Sequence, residues 1–373
     1  MDSFNQPLNE RNALVLQGGG ALGAYQAGAY EALESFGRAP AWIAGISIGA
    51  INAAIIAGNK PQHRITRLRQ FWELVSSGLQ GNQLLPGETG RTVFNETSAW
   101  FAILMGIPGF FAPRLVPPVF QAPGSSGAVS YYDTMPLKAT LEELIDFDIL
   151  NSTGPRVSIG AVNIRSGNIV YFDSRERRLG VEHIMASGAL PPGLPPVVID
   201  GEAYWDGGLV SNTPLQYILD NGDEHDLCIF QVDLFSARGK IPKTILEAAS
   251  REKEIRYSSR TRLNTSIARD MMRLRKAAER LAKKLPEDLR NDSDAKALTM
   301  KSPGGEVSIV HLIHRPSVYD TQSKDLEFSR LSMVEHWNAG KNDVLNTLNN
   351  DAWHNRATPH DGIAIYDLTQ CKA

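Results

Sequence analysis

The chain has 373 residues, 42% of them hydrophobic and 21% charged, which is the composition of an ordinary globular protein with room for one large domain or two modest ones. A formal net charge of -3 offers no general attraction for nucleic acid, so no nucleic-acid partner is expected. Two cysteines far apart, Cys228 and Cys371, argue against a disulfide framework and suit a reducing compartment.

The polar N-terminus MDSFNQPLNER lacks the apolar core of a secretory signal, so none is expected. NALVLQ (12–17) is a short apolar run stopped by glycines and predicts a buried strand. ALGAYQAGAYEALESFG (21–37) has helical length and ends on Gly37. AWIAGI (41–46) predicts a second strand, and SIGAINAAIIAGN (47–59) a second helix closed by Gly58, Asn59 and Pro61. This β-α-β-α start predicts a parallel α/β sheet. QHRITRLRQFWELVSSG (62–78) predicts a third helix. Residues 79–131, rich in Gly, Pro and aromatics, predict a long lid or loop. Its most apolar window, 101–120, carries Arg114 amid prolines and glycines, which argues against a membrane-spanning helix.

DTMPLKATLEELIDFDIL (133–150) predicts one helix capped at Asp133 or Thr134. RVSIGAVNI and NIVYFDS, joined by RSG, predict a hairpin, as does PPVVIDGEAYWDGG with its Asp-Gly turn at 200–201. LCIFQVDLF and EVSIVHLIHR predict two further buried strands. Between them, 250–284 predicts a helix with twelve Lys or Arg against four acids, a net charge of +8. Such a helix would run roughly 50 Å. It either docks on anionic head groups or lies solvated against the core. Residues 321–348 predict a C-terminal helix or pair.

Gly18, Gly20 and Gly23 spell G-x-G-x-x-G after the first strand. A dinucleotide site also needs an acid at the end of the second strand, and GISIG stands there instead. No Gly-Lys-Ser/Thr follows for a P-loop. The loop's backbone N–H groups, gathered at a helix N-terminus, suit a developing oxyanion equally well. Gly45 to Gly49 fits G-x-S-x-G at a strand-to-helix junction, the setting of a nucleophile elbow at Ser47. For the base, none of the histidines (63, 183, 225, 311, 314, 336, 354, 360) sits in a glycine-flanked loop, and His311 and His314 read as structural. Asp206, ahead of Gly207 and Gly208, is the better candidate, with Asp173 and Asp233 competing.

The ordered blocks GGGALG, GISIG, SGALPPGLPPVVIDG and DGGLVSNTP resemble the patatin-like phospholipase family over residues 12–236. The C-terminal part is similar to a bacterial subgroup with an extra C-terminal region. The resemblance implies a three-layer α/β sandwich with a mostly parallel central sheet, helices on both faces and a C-terminal helical extension. It implies a catalytic core over 10–236 (lid at 79–131), a basic helical insertion over 237–302, and C-terminal strand and helices over 303–373. It makes Ser47 the nucleophile and Asp206 the base of a dyad without histidine, with Gly18, Gly19 and Gly20 as oxyanion donors. The family's loop often carries Arg where Leu22 stands here, which puts a side-chain contribution in doubt. The implied activity is hydrolysis of lipid acyl esters. No metal cluster is visible in the sequence, so metal independence is expected, and no cofactor is expected. The expected location is the cytoplasm, with peripheral contact at the inner membrane surface as one option. The alternative is an acyl-chain or partner-binding protein on the same fold.

Overall fold

The computed structural model describes residues 10–81, 85–223, 225–299, 305–356 and 362–369. Cys371, His360 and most of the polar N-terminus lie outside them; Cys228 is buried in the core. In chain order the strands are β1 (Arg11–Leu16), β2 (Trp42–Ile46), β3 (Ala112–Pro113), β4 (Tyr132–Asp133), β5 (Arg156–Asn163), β6 (Ile169–Asp173), β7 (Val197–Ile199), β8 (Glu202–Asp206), β9 (Leu227–Asp233), β10 (Val307–Ile313) and β11 (Ile363–Tyr366). The helices are α1 (Ala24–Ser35), α2 (Ile48–Ala57), α3 (Pro61–Val75), α4 (Gly87–Met105), α5 (Met135–Leu144), α6 (Phe147–Ser152), α7 (Val181–Ser187), α8 (Leu215–Asp220), α9 (Ile245–Ala282), α10 (Glu287–Arg290), α11 (Ser293–Thr299), α12 (Arg330–Leu348) and α13 (Asp351–His354).

Among the described residues nine strands form one sheet in the order β11-β10-β9-β1-β2-β5-β8-β7, with β6 on β5. The run from β11 to β5 is parallel, and β6, β7 and β8 add antiparallel pairs. Both faces are covered, so the central strands are buried throughout, as in β2 and β9. Side-chain alternation divides the core. Leu14 and Leu16 of β1 pack with α1, α2, α3 and α12, whereas Ala13 and Val15 pack with α8 and Met272 of α9. This is the expected three-layer sandwich. The C-terminal α12 lies on α1, where Tyr25 donates to Asp343 at 2.7 Å and Trp337 and Lys341 reach Glu31.

Three expectations differ from the structure. The expected loop at 79–131 contains α4, a 19-residue helix whose buried side is small or polar: Gly90, Arg91, Asn95, Ser98, Ala99 and Ala102. Arg91 is held there by Ser332 at 2.7 Å and Glu335 at 2.8 Å. Its large apolar residues face outward, with Trp100 60%, Leu104 67% and Met105 64% exposed. The usual signal of an apolar stripe facing the core is therefore inverted. The single helix expected at 133–150 breaks at Ile145, because Asp146 caps a new one by accepting from the N–H groups of Asp148 and Ile149. Finally, β11 is a four-residue edge strand too short to leave a periodic signal.

The basic helix is continuous. At 38 residues α9 spans ~57 Å. Its first turns are locked to the 3-10 turn Lys324–Leu326 through Lys253–Asp325 at 2.5 Å and the buried pair Glu254–Lys324 at 2.7 Å.

Candidate active site

Ser47 is the single residue between β2 and α2, and its φ of 54° and ψ of -123° are unusual for a residue with a side chain. Such backbone strain is of order 1–3 kcal/mol and persists only where the surroundings enforce it. Here its N–H donates to Ser187 Oγ at 2.9 Å, and Ser187 donates to the Gly160 carbonyl at 2.6 Å. Its carbonyl accepts the first helical bonds, from Ala50 at 2.9 Å and Ile51 at 3.2 Å. The flanking glycines permit the tight junction. A Cβ on Gly45 would stand 2.4 Å from the Gly49 carbonyl oxygen, and one on Gly49 would stand 2.4 Å from that of Leu16.

The glycine loop follows β1 and leads through a 3-10 turn, Gly20–Gly23, into α1. Asn212 clamps it from both sides: Gly18 N–H donates to the Asn212 carbonyl at 3.2 Å, and Asn212 Nδ2 donates to the Gly18 carbonyl at 3.0 Å. Gly18 therefore has its N–H committed. Among the described residues nothing accepts from the N–H groups of Gly19 and Gly20. Gly20 has φ +55°, and a Cβ there would meet the Asp325 carbonyl oxygen at 2.2 Å. Beneath the loop Gln17 is fully buried. Its Oε1 accepts from Leu234 N at 2.6 Å and Phe235 N at 2.9 Å, and its carbonyl accepts from Gln26 at 2.6 Å. Gln26 in turn meets Asn52, which accepts from Trp72. A fully satisfied buried network of this kind fixes the loop's position. Leu22, where the resembling family often has Arg, is completely buried in the core.

Asp206 ends β8, 3% exposed. Burial raises its pKa to about 6, while the Ser47 hydroxyl set against it and the Gly208 N–H, which donates to Oδ1 at 2.7 Å, pull it down. Gly207 lies against the carbonyl of Gly160 on neighbouring β5.

These residues share one cavity of about 330 Å³ lined by Gly18, Gly19, Gly20, Ser47, Asp206, Gly208 and Asn212. The rest of the wall is mostly apolar, including Phe110, Phe111, Leu190, Leu194, Phe235 and Phe328. Tyr257 of α9 and Asp325 also line it, so the cavity draws on all three segments anticipated from the sequence. It opens at the C-terminal ends of β1 and β2, beside the point where the connections leave the sheet in opposite directions.

The competing carboxylates lie elsewhere. Asp173 is buried against Arg156 at 2.9 Å and Ser158 at 2.6 Å; burial alone would raise its pKa, but these hydrogen bonds hold it below the ordinary carboxylate value. Asp233 accepts from Gln231 at 2.7 Å. Neither lines the cavity, and no histidine does. His314 is buried between Tyr25 and His336, where burial pushes its pKa well down. Among the described residues no group of His, Cys, Asp and Glu is placed to hold a metal ion. Asn212, Gln17 and Ser187 were not singled out in the sequence; Asn212 sits in the quoted DGGLVSNTP block, six residues past Asp206.

A mostly parallel α/β sandwich with a strained serine at a strand-to-helix junction, a buried carboxylate beside it and unpaired glycine N–H groups defines a class of hydrolase-like sites. The sequence profile of the patatin-like phospholipases matches residues 14–219, and a further profile described as patatin phospholipase matches 255–360. The chain belongs to the patatin-like phospholipase family. No curated protein matched in sequence. Similar solved structures include VipD from Legionella pneumophila, at 14% identity over 89% of this chain and 67% of that one, TM-score 0.34. ExoU of the type III secretion system of Pseudomonas aeruginosa, in complex with SpcU, is 16% identical over 68% of this chain and 51% of that one, TM-score 0.30. A further ExoU structure is 15% identical over 90% and 54%, TM-score 0.28. The chain thus spans between half and two thirds of the length of these proteins.

Proposed function

We propose that this protein is a serine lipid acyl hydrolase of the carboxylic-ester class, using Ser47 and Asp206 as a dyad. The observation that carries this reading is the meeting of a strained serine, a buried carboxylate and two unpaired backbone N–H groups in one apolar cavity. Asp206 takes the Ser47 proton as Oγ attacks the ester carbonyl carbon. The carbonyl oxygen becomes an oxyanion held by the N–H groups of Gly19 and Gly20. On collapse the alcohol leaves with the proton that Asp206 received. Water then attacks the acyl-serine, Asp206 accepting its proton and returning it to Ser47. The apolar wall suits an acyl chain, and the reaction needs no metal or cofactor.

The direct test is hydrolysis of a short-chain nitrophenyl ester and of a phospholipid, with EDTA present. Cleavage of both supports the reading; a chain inert on every ester favours an acyl-binding protein. The pH profile adds a sharper check. The carboxylate is the active form, so kcat/KM should fall as pH drops through about 6, the pKa of Asp206. An acid limb near pH 4 would place the base in a solvated carboxyl instead.

The rim of the cavity suits a lipid surface. Between Glu96 and Asp133 the only charged residue is Arg114. Leu115, Val119 and Phe120 are 100%, 82% and 78% exposed and stand with Trp100 and Leu104 on the same module. Tyr132 OH ties that module to α4 at the Ile103 carbonyl, and Tyr132 N–H ties it to Gly193 of the cavity wall. Exposed apolar patches of this kind mark interaction surfaces. Replacing Trp100, Leu115 and Phe120 with Ser should lower hydrolysis of phospholipid vesicles by roughly tenfold or more while sparing the soluble ester. Equal loss on both substrates would contradict membrane docking by this face. No helix among the described residues is long and apolar enough to cross a membrane.

A further inference from the structure

A second cavity, of about 570 Å³, lies at the C-terminal ends of β9, β10 and β11 beneath α9. Phe235 walls both cavities and separates this one from Ser47. The proposed hydrolysis makes no use of it. Besides three serines its polar lining holds the charged and imidazole side chains of Asp233, Arg238, Arg269, His311, Arg315 and Asp367, contributed by separate elements of the fold.

The groups are graded by depth. Asp233 and His311 lie deep, 4% and 12% exposed, whereas Arg238, Arg269 and Arg315 stand nearer the mouth, three guanidinium groups against the one lining carboxylate there, Asp367. The deep end is not satisfied by the protein. Asp233 Oδ2 accepts from Gln231 at 2.7 Å, but Oδ1 has no partner among the described residues. His311 Nδ1 stands 3.7 Å from Asp233 Oδ2, and its Nε2 has no partner either. Nearer the mouth, Arg269 Nε stands 3.7 Å from Asp270 Oδ1, an ion pair without a hydrogen bond. Arg315 lies 3.7 Å from Asp367 and donates to Thr369 Oγ1 at 3.2 Å. Buried polar atoms without partners are few in folded proteins and each asks for a ligand or water.

The two ends ask for different chemistry. Guanidinium groups at the mouth match the planar, two-point recognition of a phosphate. A carboxylate at the floor accepts hydrogen bonds and repels an anion, so it calls for a hydroxyl. We propose that this cavity binds a hydroxylated phosphate ester, with its hydroxyl group on Asp233 Oδ1 and His311 and its phosphate among Arg238, Arg269 and Arg315. A cavity of this size accommodates such a molecule. The proposal does not depend on the reaction assigned to Ser47. The shared chemistry has two sources, a free phosphoester and a lipid head group.

The test is isothermal titration calorimetry on the full chain with sn-glycerol 3-phosphate, inorganic phosphate and glycerol. The glycerophosphate should bind about tenfold more tightly than inorganic phosphate, and glycerol should give no heat. Arg269→Gln and Arg238→Gln, both at partly exposed side chains that leave the core intact, should each weaken it about tenfold. Asp233→Asn should erase the preference over inorganic phosphate, with unfolding temperature measured alongside. Ser47→Ala should bind unchanged, which separates this cavity from the catalytic one. Competition by phosphatidylglycerol vesicles identifies a head group as the source; binding without such competition identifies a free phosphoester. Absence of heat with glycerophosphate, equal affinity for inorganic phosphate, or indifference to both arginine substitutions would overturn the proposal.

Discussion

Replacing Ser47 with Ala is expected to lower kcat/KM for ester hydrolysis by about 10⁴-fold or more. The proposed reaction forms its covalent bond at Oγ, and no other hydroxyl in the cavity stands at an enforced junction between strand and helix. The substitution leaves the strained backbone and the Ser187 and Ala50 hydrogen bonds in place, since both use main-chain atoms of residue 47. The unfolding temperature should therefore move little. Loss of activity in a folded variant is the expected result of steady-state assays paired with circular dichroism. Retained activity would move the nucleophile elsewhere.

Asp206→Asn is expected to cost activity on a similar scale, about 10⁴-fold, because an amide accepts no proton. Its effect on stability should have the opposite sign. An unfolded Asp titrates near 3.9, whereas the buried Asp206 titrates at about 6. Between these values the folded chain binds more protons than the unfolded one, so the contribution to stability is fully present below about pH 4. It is lost as pH rises through about 6. Above that range the buried charge costs roughly 3 kcal/mol, an amount the always-neutral Asn avoids. At pH 8 the variant should melt at or above the wild-type temperature, and the gap should close below pH 4. A variant markedly less stable at pH 8 would mean that the carboxylate is satisfied by partners that the amide cannot keep.

Much of this was legible in the sequence because the central strands are short, mostly apolar runs, the first of them ended by glycines. β1, β2, β9 and β10 sit in a sheet covered on both faces, so each is mostly apolar and easily read. The two hairpins were marked by their turns, and Ser47 and Asp206 by the glycines that let backbone approach them. What escaped depends on tertiary partners. Helix α4 turns its apolar side outward and its Arg91 inward, which no amphipathic pattern anticipates. Asn212 holds the glycine loop from 194 residues away in the chain, and Gln17, next to the loop, is anchored by Leu234 and Phe235, 217 and 218 residues away. The commitment of the Gly18 N–H follows from that same clamp. The basic helix reads as a solvated or membrane-facing element, yet it brings Tyr257 to the cavity wall, and its first turns are held by the Lys253–Asp325 pair and the buried Glu254–Lys324 pair. The pKa of Asp206 is likewise a property of burial, invisible in Asp-Gly-Gly.

The most direct measurement is mass spectrometry of the intact and proteolysed chain after brief reaction with a fluorophosphonate, which phosphonylates an activated serine. The account expects one adduct per chain, located on Ser47, absent from Ser47→Ala and formed far more slowly by Asp206→Asn. Ester hydrolysis by a chain that acquires no adduct, or acquires it on another residue, would contradict the Ser47–Asp206 dyad.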